Sequence, residues 1–259
     1  WLNQDMALED FRKILPYLAD VETVILEGWG ESLRHPDLVQ CVGLAKREGP
    51  RVGFVTSGYG LTRDRVQELL EAGLDFVGFS VSGVTPGTHD AIRVNSHLPD
   101  LLAAIGLFRE ARENSGLQRP DMHIVFLMLK DNIAELPAIP ALAKRAGIEE
   151  IAAINTCHIT NTWQDGQKLF SCAGAPVEAE ALIGKARSAA EKLKIRFFGA
   201  ALSASESPVC AENPLANLYI SADGEVSPCV YLNPPLPSPF RRIFCGTEQR
   251  VERVSFGNI

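Results

Sequence analysis

Residues 22–36 read ETVILEGWGESLRHP, a compact apolar run followed at once by a glycine turn. Val24, Ile25 and Leu26 are the kind of short, partly β-branched run that a buried parallel strand shows. The pattern predicts a strand over 22–27. Gly28 and Gly30 lack the Cβ that would hold a ligand off the backbone, and Glu31 then falls at the carboxyl end of the strand. In α/β barrels that end is where ligands bind. A carboxylate beside accessible backbone suits a primary ammonium group. The same residues also fit a tight strand-to-helix turn with a solvated Glu31, and the tetrapeptide alone does not choose.

Outward from this stretch the same grammar repeats. A helix is predicted over 7–18 from the spacing of Phe11, Ile14, Leu15 and Leu18. Helices follow over 37–47, 62–72, 100–113, 134–146 and 178–193, and strands over 51–56, 75–81, 122–129, 150–155 and 195–199. Strand, glycine-bearing loop and helix recur about every 25 residues, which means a parallel sheet covered by helices. Six strands rather than eight predict an α/β fold of the partial (β/α)6-barrel type.

After Gly199 the pattern changes. Residues 203–207 are small and polar and read as a linker. Residues 217–229, NLYISADGEVSPC, alternate apolar and polar around Asp223-Gly224, a hairpin signal. Residues 233–239 hold four prolines and read as loop, and 251–256 as one more strand. The division is a core over 1–200 and a small cysteine-bearing segment over 201–259.

Composition limits the partners. A net charge of −7 opposes a nucleic-acid backbone as a broad electrostatic partner, with Arg241 and Arg242 the local exception. No apolar run approaches the roughly 20 residues that cross a membrane, and nothing reads as a signal peptide. Six cysteines are too sparse for a disulfide scaffold, so they read as cytoplasmic thiols, some of them metal ligands. Cys41 lies in a helix, where burial as a small hydrophobe is the default. His35 and His158 lie near loop ends with no second histidine at ligand spacing.

Polar or glycine-bearing sequence follows strand after strand: Gly28 to Glu31, then Thr56-Ser57-Gly58, then Ser80-Val81-Ser82-Gly83. All these termini share one end of a parallel sheet. Together with His89-Asp90-Ala91-Ile92-Arg93 the series resembles the core of a radical S-adenosylmethionine enzyme over about residues 8–200. G-x-G-E-S-L resembles that family's GGE motif, T-S-G its T-N-G, and S-V-S-G its S-x-D-G. The resemblance implies that Gly30 and Glu31 hold the methionine amino group and that Gly28 and Ser57 belong to the cofactor site. It further implies that Ser80 and Ser82 lie near ribose or carboxylate, that Arg93 partners the carboxylate, and that Asn155 is a ribose or adenine candidate.

The family's C-x-x-x-C-x-x-C signature, which holds a [4Fe–4S] cluster, is absent from this sequence. In the family it precedes the helix placed at Ala7, so the expectation is a chain that begins just after it. In the tail, Cys210 and Cys229 frame C-x13-G-x4-C with Gly224 as the glycine, and Phe256 to Ile259 read F-G-N-I. Both resemble the SPASM module, which implies Cys210 and Cys229 as ligands of an auxiliary iron–sulfur cluster completed by Cys172, Cys245 or residues beyond Ile259. The implied activity is hydrogen abstraction from a peptide, protein or cofactor precursor, with a reductant such as ferredoxin or flavodoxin. A non-catalytic binding or scaffold module of the same architecture is the alternative.

Overall fold

A computed structural model describes residues 4–156, 158–171, 174, 176–203, 208–210, 212–244 and 246–259. Its main sheet runs in chain order. Strands β1 (Thr23–Ile25), β2 (Arg51–Thr56), β3 (Phe76–Val81), β4 (Asp121–Leu127), β5 (Glu150–Ile154) and β6 (Arg196–Gly199) pair neighbour to neighbour. Every pairing is parallel. Parallel neighbours need a long return connection. The helices supply it: α1 (Leu8–Ile14), α2 (Leu38–Arg47), α3 (Arg63–Glu71), α4 (Pro86–Ile92), α5 (Leu98–Ser115), α6 (Ile139–Ala146), α7 (Thr162–Gln167) and α8 (Val177–Leu193). All six expected strands are present, and all their carboxyl ends point one way.

The core lies between the sheet and these helices. Along β3 side chains alternate, so Val77, Phe79 and Val81 share one face, where Phe79 meets Phe108 of α5 at 5.9 Å, edge to face. Phe54, Phe79, Phe108 and Phe126 are all fully buried. Burial of each such ring is worth roughly 1.5–3 kcal/mol.

Four local expectations need correction. The strand expected over 22–27 is shorter and is not buried on both faces: among the described residues β1 pairs only with β2, and Ile25 is 51% exposed. The helix expected over 134–146 begins as a 3₁₀ turn, Ile133–Ala138, and becomes α-helical only at Ile139. Pro137 and Pro140 lack the N–H that an α-helical ladder needs there. Two short helices, α4 and α7, stand where no helix was expected. Their signals were caps: Thr85 Oγ1 accepts from the Thr88 N–H at 3.4 Å, and Asn161 Oδ1 from the Gln164 N–H at 2.9 Å. Of the strand expected over 251–256, only Val251 is in a strand.

The tail forms two small antiparallel sheets. In one, β7 (Tyr219–Ile220) and β8 (Glu225–Ser227) flank the expected turn, and β11 (Gly257–Asn258) pairs with β8. Gly224 sits at φ 80°, which its lack of a Cβ permits. The other sheet, β9 (Phe240–Phe244) with β10 (Thr247–Val251), was not anticipated. Within it Arg241 reaches Glu248 across the ladder at 2.8 Å, so its charge is spent internally. The tail rests on the core through Ile220 and Ile259 and through the Ile243 N–H, which donates to the Ile159 carbonyl at 2.8 Å. Among the described residues no helix is long and apolar enough to cross a membrane.

Candidate functional site

The strand ends gather most of the expected side chains. After β1 the chain turns through Gly28 to Glu31, and the Ser32 hydroxyl donates back to the Leu26 carbonyl at 2.8 Å, fixing the turn. One Glu31 oxygen accepts from Thr56 Oγ1 at 2.5 Å and from the Leu33 N–H at 3.1 Å. The other accepts from the Ser57 N–H at 2.8 Å and the Ser57 hydroxyl at 2.6 Å. An ionised carboxylate offers about four acceptor positions. Glu31 therefore has them filled, chiefly by the Thr-Ser pair at the end of β2, and it clamps two strand ends together.

That geometry refines the sequence reading. Glu31 and Ser57 are brought together, but they are spent first on each other. What the turn leaves open is backbone: a Cβ built on Gly30 would meet nothing within 4 Å, so that peptide faces free space. Gly28 differs, because a Cβ there would lie 3.3 Å from the Tyr219 hydroxyl. The appended segment thus reaches the turn itself.

The loop after β3 builds the cationic side. The fully buried Ser82 accepts from Arg93 Nε at 2.9 Å through its hydroxyl, and its N–H donates to His89 Nδ1 at 3.1 Å. Its carbonyl accepts from Asn132 Nδ2 at 3.1 Å. His89 is fully buried, and its Nε2 meets Ser96 Oγ at 3.2 Å. Burial, with the Arg93 charge second, pushes the His89 pKa below its ordinary value, so it serves as a neutral prop. Helix α4 carries His89 and ends at Arg93, four residues on and so on the same face. Burial pushes the Arg93 pKa down while the Glu31 charge opposes this, and the guanidinium stays protonated. Among the described residues only its Nε is engaged, and the remaining N–H groups suit a ligand carboxylate. Ser82 is thus a positioning residue for Arg93 rather than a free hydroxyl.

The other candidates divide. Ser80 is 8% exposed and lies on the β3 face opposite Phe79, near the same strand ends. Asn155 comes directly after β5, and its amide donates to the Ala201 carbonyl at 2.6 Å, which ties the end of β5 to the chain just past β6. Cys41 is buried in α2, and burial, with Asp37 second, pushes its thiol up to about 11. It is an inert packing thiol, as expected. Cys210 is exposed and Cys229 half-buried, both as free thiols. Cys172 and Cys245 lie outside the described residues. Among the described residues no group of three metal-ligating side chains comes together. The sequence holds no C-x-x-x-C-x-x-C, so no residue of this chain is assigned to a first cluster.

The sequence reading undervalued His158. It is 8% exposed, and neither ring nitrogen has a hydrogen-bond partner among the described residues. Its ring lies 5.0 Å from Trp29, 5.6 Å from Phe240 and stacked at 6.4 Å on Tyr231. Trp29 therefore belongs to an aromatic cluster joining the glycine turn, the end of β5 and the tail. A histidine four residues past the end of β5 was the available signal.

A parallel sheet whose carboxyl ends gather an open glycine turn, an anchored carboxylate and a buried guanidinium defines a partial α/β barrel with a polar site at one end. Residues 1–139, more than half of the chain, match the Radical SAM superfamily, and the chain belongs to it. It is an enzyme of the radical SAM type. The tungsten-containing aldehyde ferredoxin oxidoreductase cofactor-modifying protein of Pyrococcus furiosus is 26% identical over 98% of this chain and 70% of its own length. The PqqA peptide cyclase of Streptomyces rochei is 30% identical over 59% of this chain and 40% of its own. In fold, SuiB of Streptococcus suis bound to S-adenosylmethionine superposes with a TM-score of 0.66 at 11% identity, over 93% of this chain and 55% of that one. Native anSMEcpe with bound AdoMet and the Cp18Cys peptide gives 0.58 at 13% identity, over 87% and 66%.

Proposed function

We propose that this chain forms the core of a maturase that abstracts hydrogen from a peptide, a protein or a cofactor precursor. The observation that carries it is the pairing, at one sheet end, of an open glycine turn with a buried guanidinium that has N–H groups to spare. Bound S-adenosylmethionine supplies the chemistry, since reductive cleavage of its sulfonium yields methionine and a 5′-deoxyadenosyl radical. The chain's own residues hold and orient. Arg93 meets the methionine carboxylate, with Ser82 and His89 fixing its direction. The backbone around Gly30 accepts from the ammonium, and Glu31, saturated by its neighbours, adds its charge from behind. Ser80 and Asn155 stand on the ribose and adenine side.

Two relatives favour the substrate classes: the PqqA peptide cyclase a peptide, the Pyrococcus protein a cofactor precursor. We treat residues 201–259 as an auxiliary segment in which Cys210 and Cys229 are iron–sulfur ligands. A low-potential donor of the ferredoxin or flavodoxin kind supplies the electron, and the free thiols suit the reducing cytoplasm. The test is direct. The full-length, cluster-loaded protein, given S-adenosylmethionine and a strong reductant, is expected to release 5′-deoxyadenosine. Binding without release would favour the non-catalytic alternative.

A further inference from the structure

Helix α4, which ends at Arg93, spans only seven residues, too few to hold its own shape in water. A column of backbone bonds runs through it. The His89 N–H donates to the Thr85 carbonyl at 3.0 Å, and the Arg93 N–H to the His89 carbonyl at 2.9 Å. Thr85 at one end and Arg93 at the other, about 12 Å apart, therefore move as one piece. Whatever fixes the Thr85 end also fixes the guanidinium.

Glu135, half-buried in the 3₁₀ turn after β4, does so. One of its carboxylate oxygens accepts from the Val84 N–H at 2.5 Å and the Thr85 N–H at 3.3 Å. The other accepts from the Thr85 hydroxyl at 2.9 Å and the Thr88 hydroxyl at 2.6 Å. Its four acceptor positions are thus all spent on residues 84–88. Partial burial works against the charge, but these hydroxyl and N–H donors outweigh it and hold the carboxyl below its ordinary pKa. The last residue of Ser80-Val81-Ser82-Gly83 gains a physical reason here. A Cβ on Gly83 would lie 2.9 Å from Glu135 Oε2, and as close to the His89 nitrogen and to Thr88 Cβ. Asn132, three residues before Glu135 and fully buried, holds the other end of the loop. Its Nδ2 donates to the Ser82 carbonyl at 3.1 Å and to the Leu127 carbonyl at 2.8 Å, and its Oδ1 accepts from the Leu129 N–H at 2.8 Å. The segment after β4 therefore grips at two points the loop that carries both the hydroxyl bonded by Arg93 and the start of the helix leading to it.

We propose that Glu135 is a positioning residue for the S-adenosylmethionine site: it holds the start of α4 so that Arg93, at the far end, stays aimed at the methionine carboxylate. The inference rests on the reading of Arg93 given above and adds the residue that sets the guanidinium in place. With its acceptors spent inside the protein, Glu135 acts through Arg93 rather than on the ligand. A carboxylate that only stapled the fold would lower affinity whether or not Arg93 were present, and the experiment reads that difference.

S-adenosylmethionine is titrated calorimetrically into the full-length, cluster-loaded protein and into its Glu135→Ala, Arg93→Met and doubly substituted variants. Glu135→Ala is expected to bind about tenfold more weakly than the parent. Arg93→Met, which keeps the length of the side chain and removes the guanidinium, should lose at least about tenfold. In the double variant the Glu135 loss should shrink to about twofold or less beyond Arg93→Met, since nothing is left to aim. Glu135→Gln should stay within about threefold of the parent: its amide oxygen serves the two N–H groups while its NH2 donates to the threonine hydroxyls, which turn to accept. Losses that multiply in the double variant overturn the proposal and make Glu135 a staple of the fold. So does an unchanged affinity in Glu135→Ala, or a glutamine variant as weak as the alanine one. If Arg93→Met binds like the parent, the reading of Arg93 itself fails and takes the proposal with it. Should Glu135→Ala not fold, the nearly isosteric Thr88→Val removes one of the hydroxyl donors instead. Its expected loss of about threefold must likewise vanish beside Arg93→Met, and a loss that persists there overturns the proposal.

Discussion

Replacing His158 by phenylalanine should make this protein more resistant to acid. The imidazole is enclosed by Trp29, Tyr231 and Phe240, and among the described residues neither nitrogen is hydrogen-bonded. Burial first, and the Arg242 charge second, lower its pKa from 6.5 to about 4. The unfolded chain takes up a proton near the ordinary value, whereas the folded protein resists it down to about 4. Stability is therefore full above pH 6.5 and is lost as pH falls through that window. The gap corresponds to roughly 2 kcal/mol at pH 5 and about 3 kcal/mol at pH 4. A phenylalanine ring fits an aromatic cluster and does not titrate. Urea unfolding of both proteins, followed by circular dichroism from pH 7.5 to 4, reads the effect as a difference. Other titrating groups largely cancel in that comparison. The variant should gain on the parent progressively as pH falls, and a difference that stays constant across the window would refute the account.

Glu31→Gln turns one carboxylate oxygen into an amide NH2, which takes the acceptor either from Thr56 and Leu33 or from Ser57 and sets donors against their donors. A loss of about 1–3 kcal/mol in denaturant unfolding is expected, together with roughly tenfold weaker S-adenosylmethionine binding; unchanged stability would mean the clamp is not needed. Ser82→Ala leaves Arg93 Nε without its acceptor, so cofactor affinity should fall about three- to tenfold, whereas methionine methyl ester, which lacks the free carboxylate, should bind both proteins alike. Equal losses for cofactor and ester would show that Ser82 acts on the fold rather than through Arg93. Changing Cys210 and Cys229 together to alanine should remove about one cluster of iron from the full-length protein and leave the sheet folded. Iron content equal to the parent's would make both ordinary thiols.

The sequence by itself determined the main sheet. Each strand of the series is a short apolar run closed by a turn and followed by a 3.6-period helix, and such local signals add up wherever neighbours in sequence are neighbours in space. The turn of Gly28 to Glu31 and the Asp223-Gly224 hairpin were legible for the same reason, as was the burial of Cys41. Tertiary structure alone decided the rest. Whether β1 is buried depends on what pairs with its far edge, which its own residues do not encode. The saturation of Glu31 depends on Thr56 and Ser57, some 25 residues away. Tyr219 over Gly28 and Tyr231 on His158 link positions far apart in the chain, so no spacing rule foretells them. Sequence period reports the face a side chain occupies; which groups meet across that face is set by how the elements close on one another.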